Sequence, residues 1–397
     1  MERADVVVIG AGIVGLATAR AILQAEPSLD VVVIEKERAI AQHQSGRNSN
    51  VLHSGIYYRP GSLKARTVRA GRVAMLDYCL AHGIAHDVCG KVIVATALDE
   101  LARLEALRER ADAQQIDAHV LDPAALRELE PHAGGIAALH VPSAALVDFG
   151  AVCEALAEEI GALGGRLWLG SKVTSVRNGI VETTRGPVAF RAIVGCAGLQ
   201  SDRVARMTGA PDTGVRILPF RGEYHHVVGP SRALVRNLIY PVPDPAFPFL
   251  GVHLTRGIDG SVHAGPNAVL ALAREGYRWS TVRPADIVEV VRHRGTWRLA
   301  RRHWRAGVTE VRRSLQHGRL LAALQRLVPD LRGDDLVPAP AGVRAQAVGL
   351  DGALVDDFVI EESDHAVNVV NAPSPAATAS LEIGRLVAQR VLATWKA

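Results

Sequence analysis

Three glycines and one acid give the chain its first chemical signature. Gly10, Gly12 and Gly15 stand in the run Gly10-Ala11-Gly12-Ile13-Val14-Gly15, and Glu35 closes a second apolar run further on. Gly10 permits a tight turn, Gly12 lets the backbone approach a pyrophosphate, and Gly15 lets a helix pack closely on the preceding strand. Free N–H groups at the helix start, with the positive dipole end, suit phosphate. Glu35 is placed to accept hydrogen bonds from a ribose diol, and its charge disfavours a 2′-phosphate. These residues specify an ADP moiety and leave NAD and FAD both open. A second reactive stretch follows from Gln44 to Tyr58, dense in small and hydrogen-bonding residues and carrying His53, Tyr57 and Tyr58. A polar loop placed there suits wrapping an extended cofactor. Arg47 can face phosphate charge, and Ser45, Asn48 and Ser49 can bond ribityl or ring atoms. Neither a hydrolase triad nor a metal-ligand spacing is present. Cys79, Cys89, Cys153 and Cys196 are scattered without a CxxC pair, so buried free thiols are expected and no metal.

The elements that must position these groups can be read from the apolar pattern. Val6 to Ile9 is a β-branched run, as expected of a parallel strand buried on both faces. Leu16 to Leu23 reads as a helix and Val31 to Ile34 as the next strand, completing a βαβ unit. Further helices are expected over Leu63 to Ala81, Leu98 to Gln114, Pro123 to Glu130 and Asp148 to Leu163. Strands are expected over Gly90 to Thr96, Arg166 to Leu169, Val173 to Arg177, Ile180 to Thr184 and Val188 to Val194. Asn178-Gly179 is a strong hairpin signal. The last of these strands runs into Gly195-Cys196-Ala197-Gly198, small residues that suit close cofactor approach. Cys196 reads as a packed small residue, having no base near it in sequence. From Pro219 the pattern turns antiparallel, with strands over Gly222 to Val228, Asn237 to Val242, Phe249 to Thr255 and Ser261 to Gly265. Pro241, Pro243 and Pro245 confine the second of these to an edge or a bend. Ile287 to Arg319 reads as helical and arginine-rich, with Trp297 and Trp304 interleaved. Val367 to Val370 is the expected last strand, followed by a loop from Asn371 to Thr378 and a long final helix.

The stretch HQSGRNSNVLHSGIYYRPGSLKA (His43 to Ala65) resembles the signature of the L-2-hydroxyglutarate dehydrogenase/oxidase family, part of the D-amino-acid-oxidase-like flavoproteins. FRGEY (Phe220 to Tyr224), IYPVPDPAFPFLGVHLT (Ile239 to Thr255), GPNAVLALAREGY (Gly265 to Tyr277), AGVRAQAVGLDGALVDDFVI (Ala341 to Ile360) and VNVVNAPSPAATASLEIGRLVAQRVL (Val367 to Leu392) are similar to the same family. One departure is Asn50, where the family usually carries glycine; Asn is the non-glycine residue most tolerant of left-handed angles. The resemblance implies an α/β fold: a Rossmann-like FAD-binding domain with a parallel sheet, plus a substrate domain built on a mainly antiparallel sheet with helices. The expected division is 1–84, 148–215 and 340–397 for the first, and 85–147 and 216–339 for the second. The implied FAD contacts are Gly10, Gly12, Ile13, Val14, Gly15, Glu35, Lys36, Ser45, Arg47, Asn48, Ser49, Val173, Ala197, Gly198, Gly342, Ser374, Pro375, Ala376 and Ala377. Val173 would lie near the adenine, and the final loop and helix N-terminus near the flavin ring.

The implied reaction is oxidation of L-2-hydroxyglutarate to 2-oxoglutarate, with hydride leaving C2 for flavin N5 and electrons passing to oxygen, a quinone or another acceptor. Such a substrate needs two carboxylates held and one base placed. Arg344 sits where related amine-oxidising flavoenzymes carry an arginine for the substrate carboxylate, a bidentate charge-assisted contact. A domain-interface salt bridge is the plainer reading of it. Tyr57, Tyr58 and Tyr240 can donate phenolic hydrogen bonds. Arg221 and Asn371 complete the substrate-binding set, although Arg221 could simply tie the domains together. His53 and His253 are the candidate bases, an imidazole with a pKa near working pH being matched to a hydroxyl proton. His253 lies in an otherwise apolar strand, where polarity needs a reason; a satisfied core histidine is the alternative. His53 could instead attach flavin covalently, as histidines in a similar loop do elsewhere in the wider group.

Composition bounds the rest. The 397 residues are 48% hydrophobic and 22% charged, with a net charge of +4, ordinary for a globular protein. The charge requires no nucleic-acid partner. No run approaches the ~20 apolar residues of a membrane span. The first strand begins by Asp5, which leaves no room for a signal peptide and points to the cytoplasm. The arginine-rich stretch reads as a solvated basic face, or as a peripheral contact with an anionic membrane surface or an electron acceptor. The rival functions are oxidation of another 2-hydroxy acid or of a small amino or imino acid of the glycine/sarcosine type, and flavin-dependent tRNA modification. The IYPVPDPAFPFLGVHLT and NAPSPAAT strings argue against the amine oxidase, and only Ile287 to Arg319 offers a basic surface with aromatics for RNA.

Overall fold

Val6–Ile9 and Val31–Ile34 are buried at every position, each side chain contributing roughly 1.5–3 kcal/mol of transfer free energy. In this computed structural model, which describes residues 1–244 and 249–396, they lie inside a six-stranded sheet. Its order is Arg166–Trp168, Val31–Ile34, Val6–Ile9, Ala192–Gly195, Ala366–Asn371, Val359–Ser363. The first five run parallel and the last is antiparallel. Helices cover the valine faces: Ile13–Ala25 packs against both Phe149–Ala162 and the final helix Ser380–Lys396. The crossing with the final helix is close, because a Cβ on Gly384 would lie 2.6 Å from the Ala17 carbonyl carbon.

The expected hairpin forms between Val173–Arg177 and Ile180–Thr183. Asn178 (φ 50°) and Gly179 (φ 73°) take the two left-handed positions that a type I′ turn demands. These strands join Val188–Ala189 and Glu2–Arg3 in a separate four-stranded sheet. The run Val188 to Val194 is therefore two strands in two sheets. Its first part pairs with the hairpin, and Ala192–Gly195 turns into the parallel sheet.

The second large sheet has nine strands and is antiparallel except where Leu238–Pro241 pairs in parallel with Lys91–Ala95. Leu238–Pro241 lies inside this sheet, between His253–Arg256 and Lys91–Ala95, not at an edge. Pro241 is its last residue, so the missing N–H stops the strand without breaking a central ladder. Pro245, with the rest of 245–248, lies outside the described residues. Phe249 to Thr255 is strand only at His253–Arg256, and Gly222 to Val228 is the end of a twelve-residue strand, Arg216–Val227. Along that strand runs Leu336–Val348, which the sequence pattern did not reveal. It carries residues 340–348, assigned from sequence to the cofactor domain, into the second sheet. Its Pro-Ala-Pro-Ala-Gly core is too poor in β-branched residues to signal a strand by itself, and the long partner supplies the ladder. Ile287 to Arg319 is divided between three helices, Pro284–Arg292, Arg294–Leu315 and His317–Gln325. Extended backbone at His293 and Gln316 separates them, and His303 kinks the middle one.

Candidate active site

The glycine run forms a cradle with no room for side chains. Gly10 has φ +107°, and a Cβ there would lie 2.4 Å from the Cys196 carbonyl oxygen. A Cβ on Gly15 would lie 1.9 Å from the Gly10 oxygen, so the helix could not approach the turn. A cleft of about 640 Å³ opens here, lined by Gly10, Gly12, Ile13, Val14, Glu35, Lys36, Val173, Ala197 and Gly198. Glu35 is buried and accepts the Ala11 and Glu37 N–H groups, each at 2.9 Å. Two backbone donors thus fix its carboxylate and leave lone pairs for a ribose. Ser45 Oγ accepts the Ile13 N–H at 2.9 Å, which ties the polar loop to the helix N-terminus. Glu37, His43 and Glu275 come within ligating distance of one another. The Lys36 ammonium already bonds all three, with Glu275 at 3.0 Å and His43 at 2.9 Å, and takes the place a metal cation would need. Burial pushes the Cys196 thiol up to about 12, which fits packing and not nucleophilic chemistry.

A second cavity of about 660 Å³ shares Gln44, Ala345, Ala372, Ala376 and Ala377 with the first, so the two adjoin. A glycine cradle, a carboxylate at one end and small residues at the junction fit an extended dinucleotide running from one cavity into the other. Gly342, Ser374, Pro375, Ala376 and Ala377 line the second cavity. Gly342 is confined by the Arg47 carbonyl oxygen, 2.5 Å from where its Cβ would be. Arg47 itself lines the second cavity, not the fingerprint cleft; its Nε donates to the Gln42 carbonyl at 3.1 Å and its guanidinium lies over Tyr277. The Asn48 amide donates to the Gln44 and Ser45 carbonyls and its oxygen accepts the Asn50 N–H, which shapes the loop. Asn50 has φ +55°, the left-handed angle expected at a glycine-like position. Ser49 lines the second cavity.

That cavity gathers His53, Tyr57, Tyr58, Tyr224, Tyr240, His253 and Arg344 from five separate elements or loops. His53 follows the Val51–Leu52 strand, and its backbone N–H donates to Thr378 Oγ at 3.1 Å. Tyr240 and His253 sit on neighbouring strands with rings stacked, centroids 3.9 Å apart. The His253 Nδ1 bonds the Gly251 carbonyl at 3.0 Å, which assigns the proton to Nδ1 and leaves Nε2 as an acceptor. Burial pushes His253 down to about 3 against that bond, and the charges of Arg344 and Lys91 add to the effect. Burial, with Lys91, pushes His53 down to about 3 as well. The expectation of an imidazole titrating near working pH is thus corrected: both are neutral, weakly basic acceptors before any anion arrives. The His53 Nδ1 and the Tyr57 and Tyr240 hydroxyls are buried without a hydrogen-bond partner. Buried polar atoms are nearly always paired, so three orphans lining one cavity mark a place for a polar ligand.

Arg344 stands opposite Phe220 in the sheet, over the Phe249 ring, and among the described residues no carboxylate pairs with it. Arg221 is not brought to the cavity. It is 1% exposed, bonds Glu223 through Nε (3.1 Å) and Nη2 (3.0 Å), and lies over Trp279. Asn371 is likewise committed elsewhere: its amide donates to the Val355 and Asp357 carbonyls, both at 2.9 Å, and it lines the fingerprint cleft. Lys91 was missed by sequence reasoning. It opens the Lys91–Ala95 strand at 2% exposure, with its ammonium over the Tyr57 ring at 4.5 Å and the Tyr240 ring at 5.2 Å. Burial pushes it down to about 7. The signal was available, since a lysine heading an apolar strand needs a reason as much as His253 does.

The sequence profile described as FAD dependent oxidoreductase matches residues 5–390. The chain belongs to this family. FAD is accordingly the cofactor of the cradle, and the fold is the family's α/β fold with a Rossmann-like sheet. L-2-hydroxyglutarate dehydrogenase of Indibacter alkaliphilus is 44% identical over 395 residues, 98% of each chain. The enzyme of that name from Escherichia coli strain K12 is 43% identical over 392 residues, 98% of this chain and 93% of the other. Among solved structures, L-α-glycerophosphate oxidase from Mycoplasma pneumoniae with FAD bound aligns with a TM-score of 0.79 at 23% identity, covering 99% of this chain and 95% of the other.

Proposed function

We infer that this chain is an FAD-dependent L-2-hydroxyglutarate dehydrogenase producing 2-oxoglutarate. The observation that carries the reading is Arg344, a cation without a carboxylate partner among the described residues, lining a cavity with three unpartnered buried polar atoms. Relatives of that name at 43–44% identity supply the substrate. Bound FAD supplies the two-electron acceptor beside this cavity. Arg344 grips one substrate carboxylate bidentately. In doing so it is neutralised, and the adjacent His253 loses one of the charges that depress its basicity. His253 Nε2 is the acceptor for the C2 hydroxyl proton. Tyr57, Tyr58 and Tyr240 donate to carboxylate oxygens, and His53, anchored through Thr378, borders the cofactor loop. Electrons leave to oxygen, a quinone or another acceptor. The exposed Trp297 and Trp304 on the arginine-rich Arg294–Leu315 helix support a peripheral contact with an anionic membrane surface from the cytoplasm. No helix among the described residues is long and apolar enough to cross a membrane.

The test is anaerobic mixing of the holoenzyme with L-2-hydroxyglutarate while flavin absorbance is followed. Bleaching with the L-enantiomer but not with the D-enantiomer or glycine is expected. Bleaching by glycine alone would overturn the assignment in favour of an amine oxidase.

A further inference from the structure

Two lysines of this chain are buried in the neighbourhood of the second cavity, and the fold treats them differently. Lys64 bonds Asp356 at 2.9 Å and the Asp356 carbonyl at 3.1 Å. Lys91 pairs with no Asp or Glu among the described residues; its ammonium lies over the faces of Tyr57 and Tyr240. A buried ammonium without a counter-ion is costly, and π-faces compensate only part of the lost hydration. Such a position is retained at a cost unless a charge arrives from outside. Both rings above Lys91 line the cavity, and both of their hydroxyls are buried and unpartnered. A cation at a phenol's face draws electron density from the ring and makes its O–H a stronger donor. The same ammonium is felt by His53 and His253.

We propose that Lys91 is a positioning residue for the substrate dianion, supplying the second positive charge of the site from behind Tyr57 and Tyr240 and strengthening their hydrogen bonds to the carboxylate that Arg344 does not hold. This rests on the reading of the substrate as a dicarboxylate. Lys91 touches neither substrate nor reacting atoms; it acts through the two phenols. Because nothing but burial depresses its proton affinity, a bound dianion restores it, and ligand binding takes up a proton. The titratable groups set around it are Tyr57, Tyr240, His53 and His253. Beyond them lie Arg110 (bonded to the Tyr57 carbonyl), Lys64 near His53 and Arg344 near His253. Of these, Lys91 is the one brought down to about 7, so it governs the window above neutrality.

The experiment measures the dissociation constant of glutarate, a dicarboxylate with no hydroxyl to oxidise, from its perturbation of the flavin spectrum. Wild-type holoenzyme, Lys91→Met and Lys91→Arg are compared from pH 6 to 9. Wild-type affinity should fall by up to about tenfold per pH unit above 7, as one linked proton requires. Lys91→Met should bind glutarate at least about tenfold more weakly at pH 6 with a flat profile, as expected for loss of a charge contribution of ~1.4 kcal/mol or more. Lys91→Arg should also be flat above pH 7 but keep tighter binding than Lys91→Met, because guanidinium does not titrate there. Butyrate, with one carboxylate, should discriminate little between wild type and Lys91→Met. If Lys91→Met fails to retain FAD, the arginine variant decides alone: a wild-type pH slope preserved in Lys91→Arg overturns the proposal. Equal glutarate affinity and equal slope in Lys91→Met overturn it too, while leaving the functional reading standing. Wild-type protein that binds no dicarboxylate at any pH sinks the functional reading instead.

Discussion

Lys91→Met should make the folded protein more stable at neutral pH, and the gain should vanish in alkali. In the unfolded chain the lysine titrates at its ordinary value of 10.5, whereas burial brings it down to about 7 in the fold. Below pH 7 both states carry the proton, and the fold bears the full penalty of a buried ammonium. Between about 7 and 10.5 the unfolded chain binds more protons than the native state, so stability rises with pH. Each pH unit in that window is worth about 1.4 kcal/mol, which accumulates to at most ~5 kcal/mol by pH 10.5. Methionine keeps the length of the stem and titrates nowhere in this range, so the difference between variant and wild type isolates the lysine. Urea unfolding at pH 6, 7, 8 and 9, with the same excess of free FAD, should show Lys91→Met ahead by several kcal/mol at pH 6 and the curves converging towards pH 10. Saturating glutarate should narrow the gap at pH 6, since the dianion offsets the charge. A difference that does not change with pH, or a variant less stable than wild type at pH 6, would refute the account of Lys91 as an uncompensated buried cation.

Four further outcomes are expected at the site. Arg344→Lys should raise the KM for L-2-hydroxyglutarate roughly ten- to hundredfold, because losing a charge-assisted bond costs ~1.5–3 kcal/mol and an ammonium cannot form the fork; unchanged kinetics would make Arg344 structural. His253→Gln should slow anaerobic flavin reduction by ~10²–10⁴ with glutarate affinity nearly kept. As His253 is pushed down to about 3 in the free site, it stays neutral from pH 5 upwards, so the variant's kcat/KM profile should keep the wild-type shape there. His53→Gln should alter the flavin spectrum or retention, and complete loss of reduction with an intact spectrum would exchange the two roles. Glu35→Ala should weaken FAD retention by ~1–3 kcal/mol, read as released flavin on dilution; full occupancy would contradict the ribose contact.

The parts of the molecule legible in the sequence are those written in local chemistry. Gly10, Gly12, Gly15 and Glu35 announce their turn, helix and acid within 26 residues, because each does its work against neighbours in one βαβ unit. Asn178-Gly179 and Asn50 likewise carry backbone requirements that any reader of left-handed angles can predict, and both hold. The buried valine runs named the parallel sheet for the same reason, since burial on both faces leaves a continuous apolar string.

What only the tertiary structure decided is which polar side chains share a cavity. Arg344 lies on a strand whose sequence does not look like one, and it exists as strand because Arg216–Val227 runs beside it. Arg221 and Asn371 have side chains that can donate to a carboxylate, as Arg344 has, yet Glu223 takes the first and two backbone carbonyls take the second. Those partners include near neighbours in sequence, but whether a side chain turns toward them or toward a cavity is set by the packing of the sheet. The histidines show the same division: their residue type was readable, but their basicity was not, because it depends on burial and on Arg344 and Lys91 arriving from distant strands. Charge interactions act through space, and a linear sequence records the charges without the distances between them.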